Sequence, residues 1–277
     1  MPTEGTDNKL PPDTLLASDE PAPFVTLNPH AKKPILLVCD HASRRFPKSL
    51  GTMGIDPVAR RCHLAIDIGA GNLTQSIAEN IGVTAVLCQY SRLIIDCNRQ
   101  LMDPGAFLEF GDGVVIAGNR NLHANEKKLR EEEIYWPYHG AIDAQIKRLH
   151  VPEVAPAFVS IHSFTPVLNG ESHVFEMGVL WDTDRVTAEI FINDFRKAGY
   201  HVGDNEPYSG KAPQDFTIDH HAESIGIPHI GIEIRQDLID DEEGVAKISE
   251  LMSHIIDSLP ARLQPTDISS KQPKIPA

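Results

Sequence analysis

Apolar runs that end in titratable residues, alternating with helical stretches, predict a three-layer α/β/α fold on a mostly parallel mixed sheet. Three runs carry the prediction. Pro-Ile-Leu-Leu-Val-Cys-Asp leads into His41, Ala-Phe-Val-Ser-Ile leads into His162, and Ile-Pro-His-Ile-Gly-Ile-Glu-Ile-Arg sets Glu233 and Arg235 among β-branched neighbours. Uninterrupted apolar runs of this length read as interior strands of a parallel sheet. In open α/β sheets the ligand crevice lies at the carboxyl ends of such strands. Two imidazoles and a carboxylate delivered there from distant parts of the chain are what a mononuclear metal hydrolase assembles.

The elements follow in order. A strand at 35–39 enters the His41 loop. A helix is predicted over 67–82, opening on the small residues Gly69, Ala70 and Gly71. It carries Leu73, Ile77 and Ile81 at helical spacing and closes on Gly82. Strands are expected at 84–88 and at Leu93–Asp96, and a Gly-rich loop from Gly105 to Arg120. Ala124–Leu149 reads as one or two helices, broken or kinked near Pro137. A strand ending at His162, a strand at 174–181, a helix at 185–198, a strand at 228–235 and a helix at 242–259 complete the alternation. Residues 1–23 and 263–277 read as loose tails around a single domain, 24–262.

Composition narrows the function class. The chain has 277 residues and a formal net charge of -14, from 25 basic against 39 acidic residues, which argues against non-specific nucleic-acid binding. It does not exclude a small acidic substrate, because a few local arginines dominate a pocket. No apolar window approaches a membrane span, and the first residues lack the basic and apolar regions of a secretory signal. A cytoplasmic protein is therefore expected. Cys39, Cys62, Cys88 and Cys97 form no C-x-x-C pair and read as free thiols.

Each candidate residue has a plain structural reading beside the chemical one. His41 can be a metal ligand aimed into the crevice or a hydrogen-bonded loop residue. Asp67 can bind a metal or cap the following helix. His63, four residues earlier, reads as supporting, and His162 repeats the position of His41 on a second strand. Arg92, Asp96, Asn98 and Arg99 fall in Ser-Arg-Leu-Ile-Ile-Asp-Cys-Asn-Arg. The planar arginine fork suits a substrate carboxylate, and Arg92 with Asp96 can equally form an internal ion pair. Glu233 lies between Ile232 and Ile234, where a buried carboxylate is costly unless paired or functional. Arg235, two residues on, points to the same face and can be its partner. Of His220 and His221, either can orient substrate or serve as a capping or surface residue.

Five strings in order carry a resemblance: Cys-Asp-His-Ala-Ser, His-Leu-Ala-Ile-Asp-Ile-Gly-Ala, Tyr-Ser-Arg-Leu-Ile-Ile-Asp-Cys-Asn-Arg, Ser-Ile-His-Ser-Phe-Thr-Pro and Gly-Ile-Glu-Ile-Arg-Gln-Asp-Leu-Ile. Over about residues 34–240 the chain resembles the N-formylglutamate amidohydrolase family, which is similar to the zinc carboxypeptidase-like hydrolases. The resemblance implies a phosphorylase/hydrolase-like, zinc exopeptidase-like fold and cleavage of an N-formyl or N-acyl acidic amino acid. It implies zinc on His41, Asp67 and His162, and Glu233 as the base for a water. Asn98 and Arg99 would anchor the substrate carboxylate, with Arg92, Arg235 and His221 as further substrate contacts. The alternative is a non-catalytic binder of small carboxylates on the same fold; a carboxylate at Glu233 facing an anionic ligand separates the two.

Overall fold

The computed structural model describes residues 14–151, 154–168, 170–211 and 215–263. Seven strands form the main sheet: β1 (Phe24–Leu27), β2 (Ile35–Cys39), β3 (Thr84–Cys88), β4 (Ala157–Phe164), β5 (Met177–Leu180), β6 (Val202–Asp204) and β7 (His229–Arg235). Their order across the sheet is β1-β3-β2-β4-β7-β5-β6. The central four, β3-β2-β4-β7, are mutually parallel, β1 is antiparallel to β3, and β5 is antiparallel to β7. The sheet is therefore mixed around a parallel centre, as expected.

The helices are α1 (Ala70–Ile81), α2 (Ala124–Arg130), α3 (Trp136–Leu149), α4 (Arg185–Lys197), α5 (Phe216–His221) and α6 (Glu242–Arg262). Strand alternation sorts them into two layers. Ile35, Leu37, Val159, Ile161, Ile230 and Ile232 pack against Leu73 and Ile77 of α1, Phe191 and Phe195 of α4, and Met252 and Ile256 of α6. Leu36, Val38, Val86 and Phe158 point the other way, onto Tyr138, Ile142 and Ile146 of α3 and Ile218 of α5. Because side chains alternate, Asp40, Ser160, His162 and Glu233 fall on this second face, toward the carboxyl ends of β2, β4 and β7. Glu233 stands directly opposite His162 in the β4–β7 register.

Several elements differ from expectation. Leu93–Asp96 is not a strand; it turns, with the Ile94 N–H donating to Ser91 and the Asp96 N–H to the carbonyl of Ala106. The strand expected to end at His162 runs on to Phe164, since β7 continues pairing to Arg235. The strand expected at 174–181 is confined to 177–180, and the short edges β1 and β6 carry too few residues for a pattern to declare them. Pro137 sits in the first turn of α3, and the disruption it signals is a π-helical turn at Glu131–Tyr135 just before it. The expected loose tail does not extend to residue 23. Leu15 is buried, and the N–H groups of Leu15 and Leu16 both donate to the Glu133 carboxylate at 2.8 Å. Residues 1–13 and 264–277 lie outside the described residues. The four cysteines are free, as expected. Among the described residues no helix is long and apolar enough to cross a membrane.

Gly69 sets where α1 begins. It takes φ +80°, and a Cβ there would stand 2.1 Å from the carbonyl oxygen of Ile239. Both the left-handed backbone and the backbone contact exclude a side chain. Gly69→Ala is therefore expected to destabilise the protein by at least about 2 kcal/mol, read as a lowered urea midpoint. An unchanged midpoint would mean that the chain absorbs the contact by a local shift.

Candidate active site

A cavity of about 260 Å³ opens at the carboxyl ends of β2, β4 and β7, and His41, Asp67, His162, Arg92, Asn98, Arg99 and Glu233 all contribute to its wall. Seven of the nine residues expected to hold metal, substrate or a proton are thus brought together, and His63 joins them in the wall. Arg235 and His221 are not. Arg235 lies at the end of β7, with its Nε 2.7 Å from an Asp237 carboxylate oxygen, so its guanidinium is taken by a neighbour two residues on rather than by Glu233. His221 is buried between α3 and α5, with Nε2 2.8 Å from Nδ1 of His139 and Nδ1 2.7 Å from Asp143. It braces the two helices behind the cavity.

The centre of the wall is Asp67. Its Oδ2 lies 3.2 Å from Nδ1 of His41 and 2.8 Å from Nδ1 of His162, and the N–H of Ser163 approaches it at 3.4 Å. Its other oxygen is 3.6 Å from Arg92. Asp67 does not cap α1; Gly69 occupies that position. Burial works against its ionisation, but His41 and His162 outweigh it and hold the carboxyl below its ordinary range.

Each imidazole is held from behind. Nε2 of His41 is 2.8 Å from Asp96 Oδ1, while the other Asp96 oxygen accepts from Arg92 Nε at 3.0 Å and Nη2 at 2.7 Å. Nε2 of His162 is 3.0 Å from the Ser160 hydroxyl and 3.4 Å from Asp40 Oδ2. A carboxylate only accepts, so Asp96 holds a proton on Nε2 of His41, and Nδ1, which faces the Asp67 carboxylate, needs a second proton or a cation there. Asp40 acts alike on Nε2 of His162, where the Ser160 hydroxyl accepts beside it when that nitrogen carries the proton. A lone pair aimed at a carboxylate oxygen is repulsive unless a cation or a proton lies between them. Burial opposes protonation of both imidazoles, yet the surrounding carboxylates raise their pKa values.

That arrangement fits a divalent metal. Two imidazole nitrogens and a carboxylate oxygen are a common donor set for catalytic zinc, and ligand atoms of His41, Asp67 and His162 lie within 4.8 Å of one another. The hydrogen-bonded far nitrogens supply the orientation that metal-binding histidines need.

Glu233 borders the same cavity, and its Oε2 is buried without a hydrogen-bond partner. Burial pushes its carboxyl up to about 7, against the pull of His162. Asn98 and Arg99 follow Asp96 directly. Asn98 Oδ1 accepts the N–H of Thr217, and Arg99 Nη1 donates to the Asn98 carbonyl at 2.9 Å. Of the Arg92–Asp96 alternatives, the internal ion pair is present, and Arg92 still reaches the cavity wall.

Sequence reading passed over several wall residues. Tyr208 and Ser209 come from the loop after β6, and Asp215 from the start of α5. None lies near an apolar run that would flag it. Asp40, beside His41, is buried outside the wall, and strand alternation places it on the face of Val38 and His162.

Comparison with known proteins agrees with this architecture. The N-formylglutamate amidohydrolase family matches residues 33–240. The crystal structure of a gene product of Agrobacterium tumefaciens is similar, with TM-score 0.84 and 31% identity over 88% of this chain and 97% of that one. The crystal structure of N-formylglutamate amidohydrolase from Ralstonia eutropha JMP134 shares the fold, with TM-score 0.70 and 20% identity over 87% of this chain and 97% of that one. No curated protein matches the sequence. With the family match spanning most of the chain and the five motifs within or at the edge of it, this chain belongs to the N-formylglutamate amidohydrolase family and is a hydrolase acting on amide bonds.

Proposed function

We propose that the chain is a zinc-dependent amidohydrolase that cleaves the amide of an N-formyl or N-acyl acidic amino acid, N-formylglutamate being the reference case. The observation that carries this reading is the convergence of two Nδ1 atoms on Asp67 beside Glu233, whose buried Oε2 has no hydrogen-bond partner. His41, Asp67 and His162 would hold the ion, which supplies Lewis acidity toward a water and toward the scissile carbonyl. Glu233 takes the proton of that water and returns it to the leaving nitrogen; a carboxyl raised toward neutrality is matched to both transfers. Arg92, fixed by Asp96, stays cationic beside the place where the tetrahedral intermediate gathers negative charge. Asn98 and Arg99 grip the substrate carboxylate, leaving the amide in register with Glu233. A pure carboxylate binder gains nothing from a buried, unneutralised acid in its pocket, and the family is one of hydrolases.

Elemental analysis tests the ligand set. Purified parent protein should carry about one zinc per chain, and His41→Ala and His162→Ala should each lose most of it. Unaltered metal content in both variants would sink the site as drawn. Glu233→Gln should keep the metal and the substrate while turnover falls by orders of magnitude.

Arg99→Lys and Arg99→Ala should lower kcat/KM for N-formylglutamate about ten- to a hundred-fold, the worth of one bidentate contact in a partly dry pocket. N-formylglutamine should be the poorer substrate of the parent. Equal hydrolysis of the acid by both Arg99 variants removes Arg99 as the anchor.

Glu233 also leaves a signature in stability. Its folded pKa of about 7 lies above its ordinary 4.5. Between these values the folded protein holds a proton that the unfolded chain has lost, so the contribution of this group to stability falls as pH rises from 4.5 through 7. The full effect is about 3 kcal/mol. In chelator-treated protein, Glu233→Gln should therefore gain stability relative to the parent at pH 8 and not at pH 4. A parent–variant difference in urea midpoint that is the same at both pH values would show that Glu233 is ionised normally.

A further inference from the structure

Thr217 is fully buried at the second residue of α5, behind the cavity, and makes two polar contacts that point in different directions. Its hydroxyl donates to Asp40 Oδ1 at 2.9 Å, and its backbone N–H donates to Asn98 Oδ1 at 2.9 Å. Asp40 is itself almost fully buried. With Oδ1 held by Thr217, its Oδ2 is turned to Nε2 of His162 at 3.4 Å, and the buried Tyr138 hydroxyl lies beside the same carboxylate. A buried carboxylate with one oxygen unpartnered is costly unless the remaining oxygen serves a cationic or strongly polarised group. The N–H of an imidazole whose other nitrogen holds a metal is such a group. His41 has its counterpart in Asp96, and Asp40 is the only carboxylate contact of Nε2 on His162 among the described residues.

We propose that Thr217 and Asp40 are positioning residues: the Thr217 hydroxyl aims Asp40 at His162, fixing the imidazole that faces Asp67. The proposal rests on His162 being a metal ligand. The same threonine fixes Asn98 through its backbone, so the metal side and the substrate side of the cavity share one rigid point. A substitution at 217 removes the hydroxyl contact and leaves the backbone contact in place, which makes the two separable.

The test measures zinc affinity by competition with a chromogenic chelator, on full-length parent, Thr217→Val, Thr217→Ser, Asp40→Asn and His162→Ala, with thermal melts as the fold control. Thr217→Val and Asp40→Asn should weaken zinc about ten- to a hundred-fold, the cost of removing a partner that orients a metal-binding histidine. Thr217→Ser, which keeps the hydroxyl, should bind as the parent does. At saturating zinc, KM of Thr217→Val for N-formylglutamate should stay near the parental value, because the N–H to Asn98 survives. Parental zinc affinity in Thr217→Val and Asp40→Asn, with zinc lost in His162→Ala, overturns the proposal and leaves the ligand set standing. A serine variant as weak as the valine one also overturns it, since the methyl and not the hydroxyl would then matter. Full zinc affinity in His162→Ala takes down the ligand set and this proposal together. Should Thr217→Val fail to fold, Asp40→Asn and Thr217→Ser still decide the outcome.

Discussion

Two imidazole nitrogens share one carboxylate oxygen at Asp67, and much of the molecule is arranged so that they can. The three groups arrive from a strand-end loop, the approach to α1 and the body of β4, separated by 26 and 95 residues along the chain. Bringing them within hydrogen-bond distance requires β2 beside β4 in register, and α1 to begin only after Asp67 has turned inward. The positive φ of Gly69 and its close approach to Ile239 set that turn, so a glycine two residues from Asp67 fixes where its carboxylate points.

Charge balance extends the same constraint outward. Asp40, Asp67, Asp96 and Glu233 are buried in one small region, answered by the guanidinium of Arg92 and by two imidazoles whose protonation those carboxylates favour. Paired geometry relieves part of the cost: Asp96 takes both Arg92 and His41, and Asp40 takes Thr217 and His162. With both imidazoles deprotonated, as metal ligands must be, the carboxylates direct negative potential at the point where the two Nδ1 atoms meet Asp67. A buried surplus of this sign is tolerable beside a divalent cation and costly without one. The acids that hold the histidines are therefore also part of the electrostatic case for an ion there.

How much of this was legible in the sequence follows from how far each feature depends on its neighbours alone. His41, His162 and Glu233 stand out because each interrupts or ends an apolar run, and strand alternation is a local property. The α/β layering is legible for the same reason, through Leu73 and Ile77 on one side of the sheet and the strands between. Leu93–Asp96 shows the limit: four residues with three apolar ones fit a strand, yet this segment turns, its backbone N–H groups finding Ser91 and Ala106. Arg235 shows another. Period-two spacing does put it on the face of Glu233, but at a strand end a long side chain chooses among neighbours, and Asp237 is nearer. For His221 the sequence leaves substrate contact open beside a capping or surface role; only the packing of α5 on α3 shows that it meets His139.

Thr217 and Asp215 could not be found by pattern because their roles depend on where α5 is docked rather than on what surrounds them in sequence. That docking has a consequence for the order of dependence in the site. The first turn of α5 supplies the hydroxyl on Asp40, the N–H on Asn98 and, through Asp215, part of the cavity wall. Its last turn is tied to α3 through His221 and His139, and His139 Nε2 reaches the carbonyl of Cys97 at 3.0 Å. Cys97 lies between Asp96, which holds His41, and Asn98. A six-residue helix too short to be stable by itself thus touches Asp40, which supports His162, and the segment that carries Asp96, Asn98 and Arg99. Its stability comes from those contacts, and the geometry of the contacts depends in turn on it. Small displacements of α5 should therefore be felt on both sides of the cavity together, which is the behaviour expected of a rigid supporting element rather than of a lid.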